Sequence, residues 1–228
     1  MRFDIISAVP ELLTGLLGYS IPKRACDKGL AEIFIHNLHD YGFGKHKQID
    51  DYPFGGGAGM VLMAEPLSKV IEELLAARKY DQVIYMTPDG TSLKQSLSNK
   101  LSLGENLLII CGHYKGIDQR VRDLYVSMEI SLGDFVLSGG EVAAAALVDS
   151  VIRLIPNVLG DGESALGDSF QDDLLAPPLY TRPELFQGLS VPPVLTSGNH
   201  SKISEWKHAQ SLERTLKMRP DLLGLKEE

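Results

Sequence analysis

The chain has 228 residues, 44% of them hydrophobic and 23% charged, the balance of an ordinary globular protein, which excludes a disordered, collagenous or coiled-coil chain. A chain of this length buries about 70% of its unfolded surface and needs no covalent staples. Its two cysteines, Cys26 and Cys111, lie 85 positions apart and make neither a disulfide framework nor a zinc set, which points to a reducing compartment. The net charge of −8 is opposite to that of a strongly basic nucleic-acid binder, so any contact with RNA must rest on local positive charge.

No run of 18 apolar residues occurs, which excludes a membrane-spanning helix. The opening stretch MRFDIISAVPELL carries Asp4 and Glu11 and lacks the basic-then-apolar layout of a secretion signal. The expected location is the cytoplasm.

In chain order, short apolar runs at Phe3–Ser7, Glu32–Asn37, Gln82–Met86 and Leu107–Cys111 read as buried strands. Between them, Pro66–Ala77 has Leu67, Val70, Ile71, Leu74 and Leu75 at helical spacing on one face. Leu93–Leu101 is a shorter helix with Thr91 or Ser92 as its cap, and Ile117–Leu124 is another. Gly140–Ile155 is apolar almost all round and should be buried on several sides. Strands alternating with helices predict a largely parallel sheet covered on both faces. The stretch Pro156–Ala176 then has three glycines, five acids and no base, the composition of a mobile lid or linker. A final helix is expected over Ile203–Met218, with Ile203, Trp206, Leu212 and Leu216 on one face. The expected domains are therefore a catalytic α/β domain over 1–160, an acidic lid over 161–176, and a helical domain over 177–228. The sequence ends soon after Arg219 and Pro220, so this last domain should be short.

Four glycine-rich segments mark candidate chemistry. They are YPFGGGAGM (Tyr52–Met60), TPDG (Thr87–Gly90), CGHYKGID (Cys111–Asp118) and SLGDFVLSGGE (Ser131–Glu141). The first is no phosphate-binding Walker loop, because no Gly-Lys-Ser/Thr follows. Asp50, Asp51, His46 and Lys47 precede it, a mixture of charge and glycine that fits substrate contact as well as an exposed turn. The other three leave the ends of parallel strands, the rim where open α/β sheets bind ligands. None matches a dinucleotide fingerprint. On these residues alone, a nucleotide hydrolase using Asp50 or Asp51 with a metal remains open.

CGHYKGID, SLGDFVLSGGE, VIRLIPNVLG, GDSF, PPLYTRPE and VPPVLTSGNH follow one another in an order that resembles the bacterial tRNA (guanine-N1-)-methyltransferases of the TrmD family, within the SPOUT superfamily. MRFDIIS and HKQIDDYPFGGGAGM match the same family. The resemblance implies a SPOUT-type parallel sheet with a deep trefoil knot, plus a small helical C-terminal domain. It implies an obligate homodimer with active sites at the subunit interface, S-adenosylmethionine as methyl donor, and as substrate a tRNA with guanosine at positions 36 and 37, the base being flipped out of its stack. It implies neither DNA nor a membrane, and leaves room for a Mg2+ ion.

Carried over residue by residue, the resemblance assigns the donor pocket to Pro88, Gly112, Tyr114, Leu132, Gly133, Asp134, Phe135, Val136, Leu137, Gly139 and Gly140. Asp168 becomes the general base, because guanine N1 is a poor nucleophile until its proton leaves. Arg153 becomes the cation that stabilises charge building on the guanine O6. Asp50, Lys47, Lys115 and Arg182 become substrate contacts, with Lys45, His46, Lys202, Lys207, Arg214, Lys217 and Arg219 on the tRNA backbone. The plainer reading of each cation is a solvated surface, of Leu132, Val136 and Leu137 core packing, and of Arg153 an ion pair with Asp149. One departure stands out. After Cys111 and Gly112 the family usually has Arg-Tyr-Glu, and this chain has His113, Tyr114 and Lys115. A lysine thus replaces the family's acid, which also keeps a non-catalytic RNA-binding role open.

Overall fold

The structure, a computed structural model, describes residues 1–160 and 167–225. These fall into two compact units, one within residues 1–162 and one within 163–228. Residues 161–166 of the expected lid lie outside the described residues.

The first unit runs β1 (Arg2–Ser7), α1 (Pro10–Leu17), α2 (Ser20–Asp27), β2 (Glu32–Asn37), β3 (Asp50–Asp51), β4 (Val61–Leu62) and α3 (Ala64–Ala77). It continues with β5 (Gln82–Ser92), α4 (Gln95–Leu101), β6 (Asn106–Cys111), α5 (Gln119–Tyr125), β7 (Met128–Ser131) and α6 (Glu141–Ile152). Five strands form one sheet in the order β2-β1-β6-β5-β7, and every pairing in it is parallel. The predicted parallel sheet is therefore observed.

Alternation along each strand divides the interior in two. Phe3, Ile5, Leu107, Ile109 and Ile84 pack with Leu13 and Leu17 of α1 and with the apolar residues of α6. Ile6, Leu108, Ile110 and Val83 pack on the opposite face with Leu67, Val70 and Ile71 of α3 and Val121 of α5. The helices thus cover both faces. Leu75, placed by its spacing on the buried face of α3, is exposed; it falls at the border of the apolar stripe.

Several local expectations need correction. The strand predicted to stop at Met86 continues to Ser92, with a register shift against β7 between Met86 and Thr91. TPDG is therefore an irregularity inside β5 rather than the loop after it. Thr91 and Ser92 consequently belong to the strand and do not cap α4, which begins after Lys94 without a side-chain cap. The eight-residue helices α1 and α2 give no long periodic signal, and Pro10, Gly15, Gly18 and Pro22 punctuate them. Pro10 sits at the first helical position, where its missing N–H leaves no bond unmade.

A buried polar cluster fixes the amino-terminal half of β1. Asp4 is fully buried. It accepts hydrogen bonds from Arg2 at 2.7 and 2.9 Å and from the Tyr80 hydroxyl at 2.8 Å, with His36 Nε2 at 2.7 Å. Burial alone pushes its pKa up; the bonds from His36, Arg2 and Tyr80 outweigh that and hold it well below the usual carboxylate range.

The second unit contains β8 (Leu185–Phe186) and β9 (Leu189–Ser190), an antiparallel hairpin, then α7 (Pro193–Thr196) and α8 (His200–Met218). Helix α8 starts three residues earlier than its periodicity predicts, because the Asn199 side chain accepts from the Lys202 N–H at 3.2 Å and caps it. Leu212 and Leu216 are exposed, and Ser211 and Thr215 are buried instead. The reason is polar. The Leu175 N–H donates to Thr215 Oγ1 at 2.9 Å, and that hydroxyl donates to the Ser211 carbonyl at 2.7 Å. The described part of the acidic segment is thus folded onto α8, held further by Ser169 Oγ accepting from the Ala176 N–H.

Candidate active site

The carboxyl ends of β6 and β7 and the irregular middle of β5 meet around a cavity of about 470 Å³. Pro88 enters from β5. Gly112, Tyr114 and Lys115 enter from the segment after β6, and Leu132, Gly133, Phe135, Val136, Leu137, Gly139 and Gly140 from the segment after β7. Asp134 is not on the cavity wall.

Close backbone approach builds this wall. The Gly140 N–H donates to the Gly112 carbonyl at 2.7 Å, and His113 bridges Gly139 in antiparallel fashion. A Cβ on Gly140 would lie 2.9 Å from Cys111 Cα and from the Gly112 nitrogen. A Cβ on Gly112 would lie 2.9 Å from the Tyr85 hydroxyl. Both crossings therefore need glycine. Ser131 Oγ donates to the Gly133 carbonyl at 3.0 Å and accepts its N–H at 3.1 Å, pinning the turn that presents Phe135.

The long glycine loop is stitched to the same wall. The Lys115 N–H donates to the Met60 carbonyl, the Leu62 N–H to the Gly116 carbonyl, and the Asp118 N–H to the Leu62 carbonyl, each at 3.0 Å. This brings Asp50, in β3, beside the Tyr114 hydroxyl; burial and then that carboxylate raise the Tyr114 pKa. Lys47 is exposed, with its ammonium 2.6 Å from Asp40. Arg153 closes the C-terminal end of α6 in the first unit. Asp168, half-buried, and Arg182, exposed, belong to the second. Among the described residues, no group of three or more His, Cys, Asp or Glu side chains gathers in a way that could hold a metal ion.

Several wall residues were not assigned to the site from the sequence, although Thr87, Asp89 and His113 lie within the glycine-rich segments TPDG and CGHYKGID. Tyr85, Thr87, Asp89, His113 and Arg122 line the cavity. Arg122, on α5, donates to Asp89 and Glu129 at 2.8 Å, and its guanidinium lies 5.2 Å from the centre of the Tyr85 ring. The Thr87 hydroxyl and Arg122 hold the Asp89 carboxyl below its ordinary value. Burial pushes the Tyr85 hydroxyl up and the Cys111 thiol far up, so Cys111 is a packing residue and no nucleophile. Only the alternation of β5 could have pointed to Tyr85, and nothing local points to Arg122.

A rim cavity walled by glycine backbone, apolar side chains and a few polar groups, at the carboxyl edge of a parallel α/β sheet, has the position and lining of a ligand site. The tRNA (Guanine-1)-methyltransferase TrmD family matches residues 1–225. The tRNA (guanine-N(1)-)-methyltransferase of Christiangramia forsetii is 61% identical over 223 residues, 98% of this chain and 99% of that one. The proteins of the same description from Bacteroides thetaiotaomicron and Cytophaga hutchinsonii are 56% and 55% identical, over 98% and 97% of this chain and 99% and 94% of theirs. The chain belongs to the TrmD family of tRNA (guanine-1)-methyltransferases, and the methyltransferase expected from its sequence blocks is what it is. No helix among the described residues is long and apolar enough to cross a membrane.

Proposed function

We propose that the chain transfers a methyl group from S-adenosylmethionine to N1 of guanosine 37 in tRNA carrying guanosine at 36, as a cytoplasmic homodimer, with Asp168 as general base. The observation that carries the donor assignment is the cavity itself. Its volume suits a nucleoside-sized ligand. Gly112 and Gly140 leave room where any Cβ would strike neighbouring atoms, and Phe135, Val136 and Leu137 offer an apolar slot for a purine. When bound, the donor supplies an electrophilic methyl on a sulfonium.

The chain's own residues do the rest. Asp168 accepts the N1 proton as N1 becomes nucleophilic. Arg153 offsets the negative charge that then gathers on O6. Lys45, His46 and Lys47, with Arg182, Lys202, Lys207, Arg214, Lys217 and Arg219, are exposed and supply local cations for phosphate contact despite the net negative charge. Lys115 and Asp50 contact the target nucleotide, a reading supported by Lys115 lining the cavity and Asp50 lying beside Tyr114. A Mg2+ ion would take oxygen ligands from the tRNA or the donor and from the Asp50 carboxylate, since the Lys115 ammonium repels a cation.

Two features support a dimer with interfacial sites and the crossing typical of a knot. Val136, at the cavity, is 83% exposed, and Leu12 and Leu16 of α1 are about half exposed at 49% and 52%, apolar surface that a second copy would cover. The segment after β7 is bonded across the segment after β6 through Gly140 and Gly112.

The test is unmodified tRNA incubated with methyl-labelled donor, followed by mapping of the label. Label at guanosine 37 is expected; a folded protein that leaves that nucleotide unlabelled ends the proposal. Asp168→Ala should keep donor affinity while turnover falls by about 10²–10⁴-fold; unchanged turnover removes Asp168 from its role.

A further inference from the structure

Glu141 opens helix α6 directly after Gly140 and is 1% exposed. Its Oε1 accepts a hydrogen bond from the Ser7 hydroxyl at 2.8 Å, which anchors the carboxylate to the end of β1. Its Oε2 is buried and has no hydrogen-bond partner among the described residues, and the same is true of His113 Nδ1. These two atoms face each other at 3.8 Å, too far for a hydrogen bond. Gly139 lies between them: a Cβ there would come within 2.4 Å of Glu141 Oε2 and 2.5 Å of His113 Nδ1. His113 lines the cavity, whereas Glu141 stands behind it.

A buried acceptor and a buried ring nitrogen, both unsatisfied and separated by less than 1 Å beyond bonding distance, form a half-made contact. Leaving either unpaired costs free energy, and a wall movement of roughly 0.8 Å would join them. We propose that His113 and Glu141 are a positioning pair for the donor pocket: occupancy of the cavity brings His113 Nδ1–H onto Glu141 Oε2, locking the segment after β6 against the segment after β7. The contact couples to the ligand because a filled cavity removes water from the His113 side and so strengthens the pair. The charged and titratable groups around it are few. Cys111 is next to Glu141 with its thiol held protonated by burial, Tyr114 stacks edge-on to the His113 ring at 4.8 Å, and Ser7 fills the other carboxylate oxygen. The inference rests on the reading of this cavity as the donor site.

The test is calorimetric titration of the full-length protein with S-adenosylhomocysteine, combined with steady-state kinetics, on His113→Leu, His113→Asn, Glu141→Gln and the double variant His113→Leu/Glu141→Gln. Asn places its amide nitrogen near the position of Nδ1 and so keeps the donor. Expected for His113→Leu is a loss of about tenfold in affinity and a rise of about tenfold in donor KM, with a much smaller change in kcat at saturating donor. His113→Asn should recover most of it, and the double variant should lose no more than His113→Leu does. Wild-type affinity in His113→Leu, or losses that simply add in the double variant, would overturn the pair and leave the donor site standing. Absence of any heat from the wild type would overturn the donor site and the pair with it.

Discussion

Two buried carboxylates, one within β1 and one against its last residue, are treated oppositely. Asp4, in the strand's first half, is met by Arg2, His36 and Tyr80, so both of its oxygens are occupied. Glu141, packed against the strand's last residue, has one oxygen held by Ser7 and one with no partner among the described residues. The surroundings of Asp4 are thus a finished polar network and those of Glu141 an unfinished one. A network with every member satisfied rigidifies a scaffold, whereas one left incomplete stores the capacity to respond to a ligand. Strands of a parallel sheet all deliver their following segments to one edge, so only that edge can be rebuilt as a site without disturbing the register below it.

This contrast breaks if the two ends respond alike to substitution. The largest effect is expected at Asp4. Asp4→Asn should cost about 3–5 kcal/mol of unfolding free energy, because it strands charged partners in a buried place, while the folded fraction still binds S-adenosylhomocysteine. Urea titration followed by calorimetry checks both halves. The pH dependence sharpens the point. The Asp4 pKa is depressed in the folded state, so the unfolded chain binds its proton first as the pH falls, and the stability contributed by Asp4 is complete above the ordinary carboxylate range and lost below about pH 4. Asp4→Asn should flatten that part of the acid-unfolding curve; an unchanged curve would place the acid sensitivity elsewhere.

At the other end, Gly140→Ala forces a Cβ against Cys111 Cα and the Gly112 nitrogen. About 1–3 kcal/mol of stability should be lost, together with most of the donor affinity, read by the same two methods. Loss of stability with full affinity would show that this crossing serves the scaffold alone. The smallest effect belongs to the surface. Lys23 and Asp27 form an exposed pair one helical turn apart at 2.9 Å, and Lys23→Ala should shift the unfolding free energy by about 0.5 kcal/mol or less and leave donor binding as it was.

The sequence was informative where physics is local. The apolar runs of β1 and β6 fall where their residues predict, because a strand buried on both faces needs a continuous apolar stretch. The run of β2 also forms a strand, but at the edge of the sheet, where Phe34 is exposed and no residue is buried. It misjudged α8, where periodicity favours Leu212 and Leu216 but burial goes to Ser211 and Thr215; the needs of a neighbouring backbone outweighed hydrophobicity there. It ended β5 too soon, because Pro88 and Gly90 read as a terminus, yet the strand resumes its pairing with β7 at Thr91.

Family membership, the parallel sheet and the glycine segments were all determined by the order of residues alone, since each is written in contiguous blocks. Ten of the eleven residues assigned to the donor pocket from those blocks do line one cavity. What only tertiary structure decided is the company those residues keep. Arg122 comes to Asp89 across 33 positions and Glu141 to Ser7 across 134, and no local pattern encodes either meeting. Long-range pairing depends on which side chains the packed sheet and helices leave facing one another, and only the folded chain makes that choice.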